Sequence, residues 1–227
     1  MRLPLETFVV PPFAENTYLV GDLDVGRAIV IDPGGRADEL VARAEQLGLT
    51  IQAVVNTHAH VDHVAGVADI CRLTGAPFHL HPDAAPSLAH LPAQAAMFGM
   101  APFDVPAVDH ALLPGTAVQV GALTLDVRST PGHAPGHVTL VAREPVAMEG
   151  GARRLAFCGD VIFSGSVGRV DLPGGDAAVL MESIEREILT LPDDTVLYAG
   201  HGSATTVGQE RATNPFVRAW QRGERFA

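Results

Sequence analysis

The segment Thr57-His58-Ala59-His60-Val61-Asp62-His63 places three histidines and a carboxylate within seven positions. Residues 51–56 before it read as a buried strand, and Val64, Val67 and Cys71 after it recur at helical spacing. The cluster therefore belongs on a strand-to-helix loop, where side chains converge on one point. Imidazoles beside a carboxylate suit zinc, iron or manganese. Uncoordinated histidines at this density would repel one another when charged.

One such cluster does not complete a metal site that keeps positions open for chemistry. Three later segments offer the missing groups. Ser129-Thr130-Pro131-Gly132-His133 follows the apolar-alternating run 123–127. Phe157-Cys158-Gly159-Asp160 and Leu197-Tyr198-Ala199-Gly200-His201 each end another short apolar run. In all three a strand stops, a glycine turns the chain, and a metal-competent side chain appears. Taken singly these are ordinary: a lone His after a strand is a loop residue, and a lone Gly-Asp is a turn or a helix cap. Four such ends in one chain are what a site at one edge of a sheet requires.

The balance of 26 acidic against 15 basic residues, a net charge of −11, disfavours a nucleic-acid backbone as partner. No apolar run reaches membrane-spanning length, and the start Met1-Arg2-Leu3-Pro4-Leu5-Glu6 lacks a signal-peptide core. Cys71 and Cys158 are the two cysteines and form no Cys-x-x-Cys pair. One lies on a predicted helix and the other in a predicted strand, so buried free thiols are expected rather than a disulfide. Together these features point to the cytoplasm.

Predicted strands cover 7–10, 17–21, 27–31 and 51–55, then 123–127, 138–141 and 155–157. Predicted helices cover 37–47, with Leu40, Val41, Ala44 and Leu47 inward and Gly48 as the stop, and 179–189. No low-complexity linker separates the halves, so residues 1–227 read as one domain. Two mixed sheets packed face to face, with helices outside, fit this order.

At the quoted motifs the chain resembles the metallo-β-lactamase superfamily, whose pieces are a His-x-His-x-Asp-His run, a His, a Gly-Asp and a late Gly-His. The resemblance extends from Asn16-Thr17-Tyr18-Leu19-Val20 and Ile31-Asp32-Pro33-Gly34-Gly35 to Thr213-Asn214-Pro215. Gly159-Asp160-Val161-Ile162-Phe163-Ser164-Gly165-Ser166-Val167-Gly168-Arg169 is similar to the glyoxalase II (hydroxyacylglutathione hydrolase) branch. Asp171-Leu172-Pro173-Gly174-Gly175-Asp176 and Leu191-Pro192-Asp193-Asp194-Thr195 resemble its short bacterial form, which lacks a C-terminal helical domain.

The resemblance implies an αββα sandwich of two mixed sheets in a single domain. It assigns His58, His60 and His133 to one metal, Asp62, His63 and His201 to a second, and Asp160 to both. It implies two divalent ions, zinc foremost with iron or manganese as alternatives. The implied reaction is attack of a bridging hydroxide on a thioester, S-(2-hydroxyacyl)glutathione foremost, with Asp62 and Asp160 as catalytic carboxylates. A small-molecule thioester is thus the expected partner; no nucleic acid or membrane is expected, and a homo-oligomer is compatible with the sequence. Arg169 is the substrate-binding candidate, because a basic residue there contacts a glutathione carboxylate in the long enzymes. Asp171 replaces the family's companion aromatic, and Arg169 alternatively pairs with Asp171 or Asp176. The runner-up is a persulfide dioxygenase with one iron on His58, His133 and Asp160; hydrolysis of another ester or lactone is a further alternative.

Other polar residues have two readings each. His81 and His137 are either outer partners of the ligands or packing residues. Asp32 either braces the metal loop or caps its own turn. His90 and His110 read as surface residues. Residues 83–114 form an Ala- and Pro-rich insertion, and within it Met97-Phe98-Gly99-Met100-Ala101-Pro102-Phe103 is expected at a pocket or subunit contact, or else as ordinary packing.

Overall fold

The computed structural model describes residues 3–148 and 151–225. Its first sheet has six strands in chain order: β1 (Leu5–Val10), β2 (Glu15–Asp22), β3 (Arg27–Ile31), β4 (Thr50–Val55), β5 (Phe78–Leu80) and β6 (His110–Ala111). The pairs β1/β2 and β2/β3 are antiparallel, and those from β3 to β6 are parallel. The second sheet holds β7 (Ala117–Val120), β8 (Leu123–Ser129) and β9 (Val138–Ala142). After a hairpin of β10 (Val146–Met148) and β11 (Gly151–Arg153) it continues with β12 (Leu155–Gly159). A second hairpin, β13 (Ile162–Phe163) and β14 (Ser166–Val167), precedes β15 (Val196–Ala199) and β16 (Thr205–Thr206). Its spatial order is β7-β8-β9-β12-β15-β16, with β12/β15 parallel and the other pairs antiparallel. Both sheets are mixed, and the αββα sandwich is the observed fold.

The two-residue period of a strand builds the layers. Tyr18, Val20, Ile29 and Ile31 point between the sheets and meet Leu125, Val127, Leu140 and Phe157. Their neighbours Leu19, Ala28 and Val30 point outward against Leu40 and Ala44 of α1 (Ala37–Gln46) and Ile70 of a later helix. Both faces are covered, which is why β3 carries the unbroken run Ala28-Ile29-Val30-Ile31. On the far side, Ala156, Cys158, Leu197 and Ala199 pack under Leu180, Met181, Ile184 and Ile188.

The helix expected after the metal loop is instead two short ones, α2 (Val61–Val64) and α3 (Val67–Thr74). Gly66 causes the break. Its N–H donates to Pro33 O at 2.9 Å, and a Cβ there would sit 2.8 Å from the Gly35 nitrogen. The 83–114 insertion is more ordered than its composition suggests: a 3-10 turn at Ala85–His90 leads into α4 (Leu91–Met97). Within it, Met100 and Phe103 pack on the core. Met97 is 78% exposed, and the half-exposed Phe98 meets Phe13 edge-on at 5.1 Å. The helix expected over 179–189 starts earlier, as α5 (Ala177–Ser183), because Asp176 caps it by accepting from Val179 N–H. It then continues through a π turn at Ile184–Ile188. Two last helices, α6 (Val207–Thr213) and α7 (Pro215–Gln221), follow β16. Both cysteines are free; Cys158 is buried as expected, whereas Cys71 is only half-buried. Among the described residues no helix is long and apolar enough to cross a membrane.

Candidate metal centre

Strand directions bring the motifs to one edge. The parallel strands β3 and β4 end there with Asp32 and with Asn56-Thr57-His58; β12 and β15 end there with Gly159-Asp160 and Gly200-His201. Strand β8 runs in the same sense as β12 and delivers His133. The sheets are joined at this edge by Asn16 N–H to Gly200 O at 2.7 Å and by a backbone bridge between Glu15 and His201. Gly200 is required here, since a Cβ would enter Asp160 Oδ1 and the His63 ring. At Gly159 the backbone adopts φ +45°, and a side chain would strike Thr57 and His137.

Among the described residues two trios of expected ligands result, His58, His60 and His133, and Asp62, His63 and His201, while a third group, Asp32 with His58 and His63, overlaps both. Within each trio the atoms lie within 4.8 Å of one another. Asp160 lies between them. Its Oδ1 is 3.4 Å from His63 Nε2, and its Oδ2 is 3.6 Å from His133 Nε2 and 3.5 Å from His201 Nε2. Asp62 Oδ2 is 3.2 Å from His201 Nε2. All seven residues singled out as ligands therefore meet.

The surrounding bonds set the tautomers. The Thr57 hydroxyl donates to Asp32 Oδ2 at 2.7 Å, so its 3.0 Å contact with His58 Nδ1 is donated by the ring. His58 Nε2 is left as a buried lone pair without a partner. His133 Nδ1 donates to Arg169 O at 2.8 Å, which leaves its Nε2 as a lone pair 2.8 Å from His60 Nδ1. His63 Nε2 and Asp160 Oδ1 are likewise buried without a hydrogen bond. Buried polar atoms left without a partner are costly unless something sits among them to pair with them. The donor set of imidazoles and carboxylates therefore fits a divalent metal, and fits two.

Around the trios lies an outer layer. Asp32, at φ +49°, accepts from Thr57 N–H at 2.6 Å and stands 3.3 Å from His63 Nδ1, so it braces the metal loop. His137 accepts from Asp160 N–H at 3.2 Å through Nε2, and its Nδ1 faces the Thr130 hydroxyl at 3.0 Å. It positions the backbone of Asp160, not His133. His81 is an ordinary turn residue: its Nδ1 accepts from Asp83 N–H at 3.1 Å. The exposed His90 and His110 match expectation. Sequence reasoning missed Glu15, which is fully buried with Oε1 3.9 Å from His63 Nδ1 and Oε2 accepting from the Thr17 hydroxyl. The sequence held only a weak signal, the polar run Glu15-Asn16-Thr17, and the burial of every position of that strand is seen only in the fold.

Burial, then neighbouring imidazoles, pushes His58 well below the usual histidine range. The same causes lower His60 to about 4, and burial lowers His133 and His137. For His63 burial opposes charge, but Asp160 and Asp62 outweigh it and the pKa rises. Burial likewise opposes ionisation of Asp160, yet His63, His133 and His201 hold it below the usual carboxylate range.

These directions give the metal-free chain a pH optimum. An unfolded histidine takes up its proton near ~6.5. Four histidines depressed by folding therefore cost stability as pH falls from about 6.5 towards 4. Glu15, whose pKa is raised first by burial, opposes them with one proton in that window. Above 6.5 the raised His63 and His201 lose their contribution. Urea midpoints of chelator-treated protein are expected to peak near pH ~6.5; a profile flat from pH 5 to 8 would contradict the assignment.

A metallo-beta-lactamase superfamily model matches residues 10–201, which span both trios and Asp160. The chain belongs to the metallo-beta-lactamase superfamily. It is 35% identical to hydroxyacylglutathione hydrolase GloC of Haemophilus influenzae over 223 residues, covering 95% of this chain and 98% of that one. Persulfide dioxygenase ETHE1 of Bos taurus mitochondria is 30% identical over 210 residues, covering 90% and 72% respectively. Among solved structures, TTHA1623 in a di-iron-bound form superposes with a TM-score of 0.78 at 37% identity, covering 93% of this chain and 99% of that one. The matched span includes the whole edge at which this chain gathers its histidines and carboxylates.

Proposed function

We propose that this metallo-hydrolase is a dinuclear thioesterase acting on S-(2-hydroxyacyl)glutathione. The observation that carries the reading is the pair of trios sharing Asp160, together with the likeness to hydroxyacylglutathione hydrolase GloC. Two divalent ions supply Lewis-acid polarisation of a carbonyl and lower the pKa of water. The chain's own groups do the rest. Asp160 spans both trios, and Asp62, on the more exposed side beside His201, would help hold the second ion and orient the attacking water. His133 is held in register by the Arg169 carbonyl. A thiolate of pKa ~8.5 leaves without a dedicated acid, which makes a thioester the least demanding substrate for this arrangement.

Arg169 lies beside this centre through its backbone, while its guanidinium forms a two-point pair with Asp171 at 2.7 and 2.8 Å. Both side chains are exposed, so a substrate carboxylate can displace Asp171. Arg169→Ala is expected to raise KM for acylglutathione by about tenfold or less with kcat nearly unchanged, as for a screened surface contact. Steady-state kinetics decide it; a collapsed kcat at constant KM would contradict a binding role.

The experiment that tests the function is a panel of thioesters, esters and lactones assayed on protein of measured metal content. Turnover of acylglutathione with two ions per chain supports the proposal. Oxygen uptake on a persulfide with one iron per chain would favour the dioxygenase reading, whose ligands would be His58, His133 and Asp160.

A further inference from the structure

Glu210 and Asn214 are both fully buried, yet neither belongs to the centre. Glu210 Oε2 accepts from Gly165 N–H at 2.9 Å and from Asn214 Nδ2 at 2.8 Å, and Oε1 accepts from the Thr205 hydroxyl at 2.5 Å. Asn214 Nδ2 also donates to Ser166 O at 2.9 Å, while its Oδ1 caps α7 by accepting from Phe216 and Val217 N–H. Gly165 lies in the turn of the β13/β14 hairpin and Ser166 opens its second strand. That hairpin begins just past Asp160. It carries Phe163, whose ring lies 6.0 Å edge-on from His201, and it runs into Arg169, whose carbonyl holds His133. At its base Gly168 N–H bonds to Val161 O at 3.2 Å.

We propose that Glu210 and Asn214 are positioning residues that clamp the hairpin between Asp160 and Arg169, and so hold Asp160, His133 and His201 in register for metal. Two short strands of two residues each do not hold a hairpin by themselves. The two bonds from Glu210 of α6 to Gly165 and from Asn214 at the start of α7 to Ser166 supply what it lacks. The side chain works through one oxygen that accepts from both Gly165 of the hairpin and Asn214, while its other terminal atom faces Thr205. The inference rests on the proposed metal centre but not on its substrate.

The test is zinc affinity, read by competition with a chromophoric chelator, alongside urea stability of the metal-free proteins. Glu210→Met leaves the Gly165 N–H unpaired, and affinity is expected to fall about tenfold, as for other outer partners of metal ligands. Glu210→Gln is expected to keep affinity, because its amide oxygen still accepts from Gly165 and Asn214 while its NH2 group donates to Thr205. Thr205→Val removes a bond on the side away from the hairpin, so it is expected to lower stability and leave affinity unchanged. If Glu210→Met does not fold, Asn214→Ser retains a helix cap and removes the bond to Ser166, and the same loss of affinity is expected. Parent affinity in the folded Met or Ser variant would overturn the clamp. A parent protein that binds no zinc or iron would instead overturn the centre itself.

Discussion

Asp160→Ala is expected to lose both metal ions and at least a thousandfold in kcat/KM, the equivalent of about 4 kcal/mol of transition-state stabilisation. Its carboxylate faces both trios, with Oδ1 towards His63 and Oδ2 towards His133 and His201. Its removal also leaves His63 buried with one fewer counter-charge, so the metal-free variant is expected to be less stable than the metal-free parent. Elemental analysis beside initial rates checks both effects. Retention of one ion on His58, His60 and His133 would show that the first trio is self-sufficient and that Asp160 serves only the second.

Chelation of the native protein is expected to lower Tm by roughly 8–16 °C. A ligand at a thousand times its Kd stabilises by about 4 kcal/mol. In a chain of this size each kcal/mol shifts Tm by about 2–4 °C. The structural reason is the set of buried ligand-type atoms without a hydrogen-bond partner, His58 Nε2, His63 Nε2 and Asp160 Oδ1. Calorimetry with and without chelator, followed by zinc or iron add-back, measures the change. A Tm that does not respond would mean that these groups are satisfied by other means.

Much of the site was legible because its residues are metal-competent types at strand ends. The His58-to-His63 run needs no tertiary knowledge, and His133, Asp160 and His201 each follow a glycine turn. The layer behind them was less legible. A buried Glu15 before an apolar strand looks like a loop residue until Asn16 is seen to bond with Gly200 in the other sheet. His137 and His81 were alike on paper. Only the φ +45° turn at Gly159, which sets Asp160 N–H against His137, separates a positioning histidine from a turn residue. The sheet layers could be read from period-two apolar runs, but the break at Gly66 could not. It arises from contact with Pro33 and Gly35, far away in sequence, and local spacing carries no trace of it.

The join between the two sheets also bears on how fast the chain reaches and leaves its native state. Asn16 bonds to Ala199 across 183 residues, and His60 meets His133 across 73. Contacts of such long range form after most of the loop-closure entropy has been spent. Bonds that mature after the rate-limiting barrier alter escape from the folded basin far more than arrival in it. A cation gathered at this edge therefore acts as a brake on unfolding and gives little help to the search that precedes it.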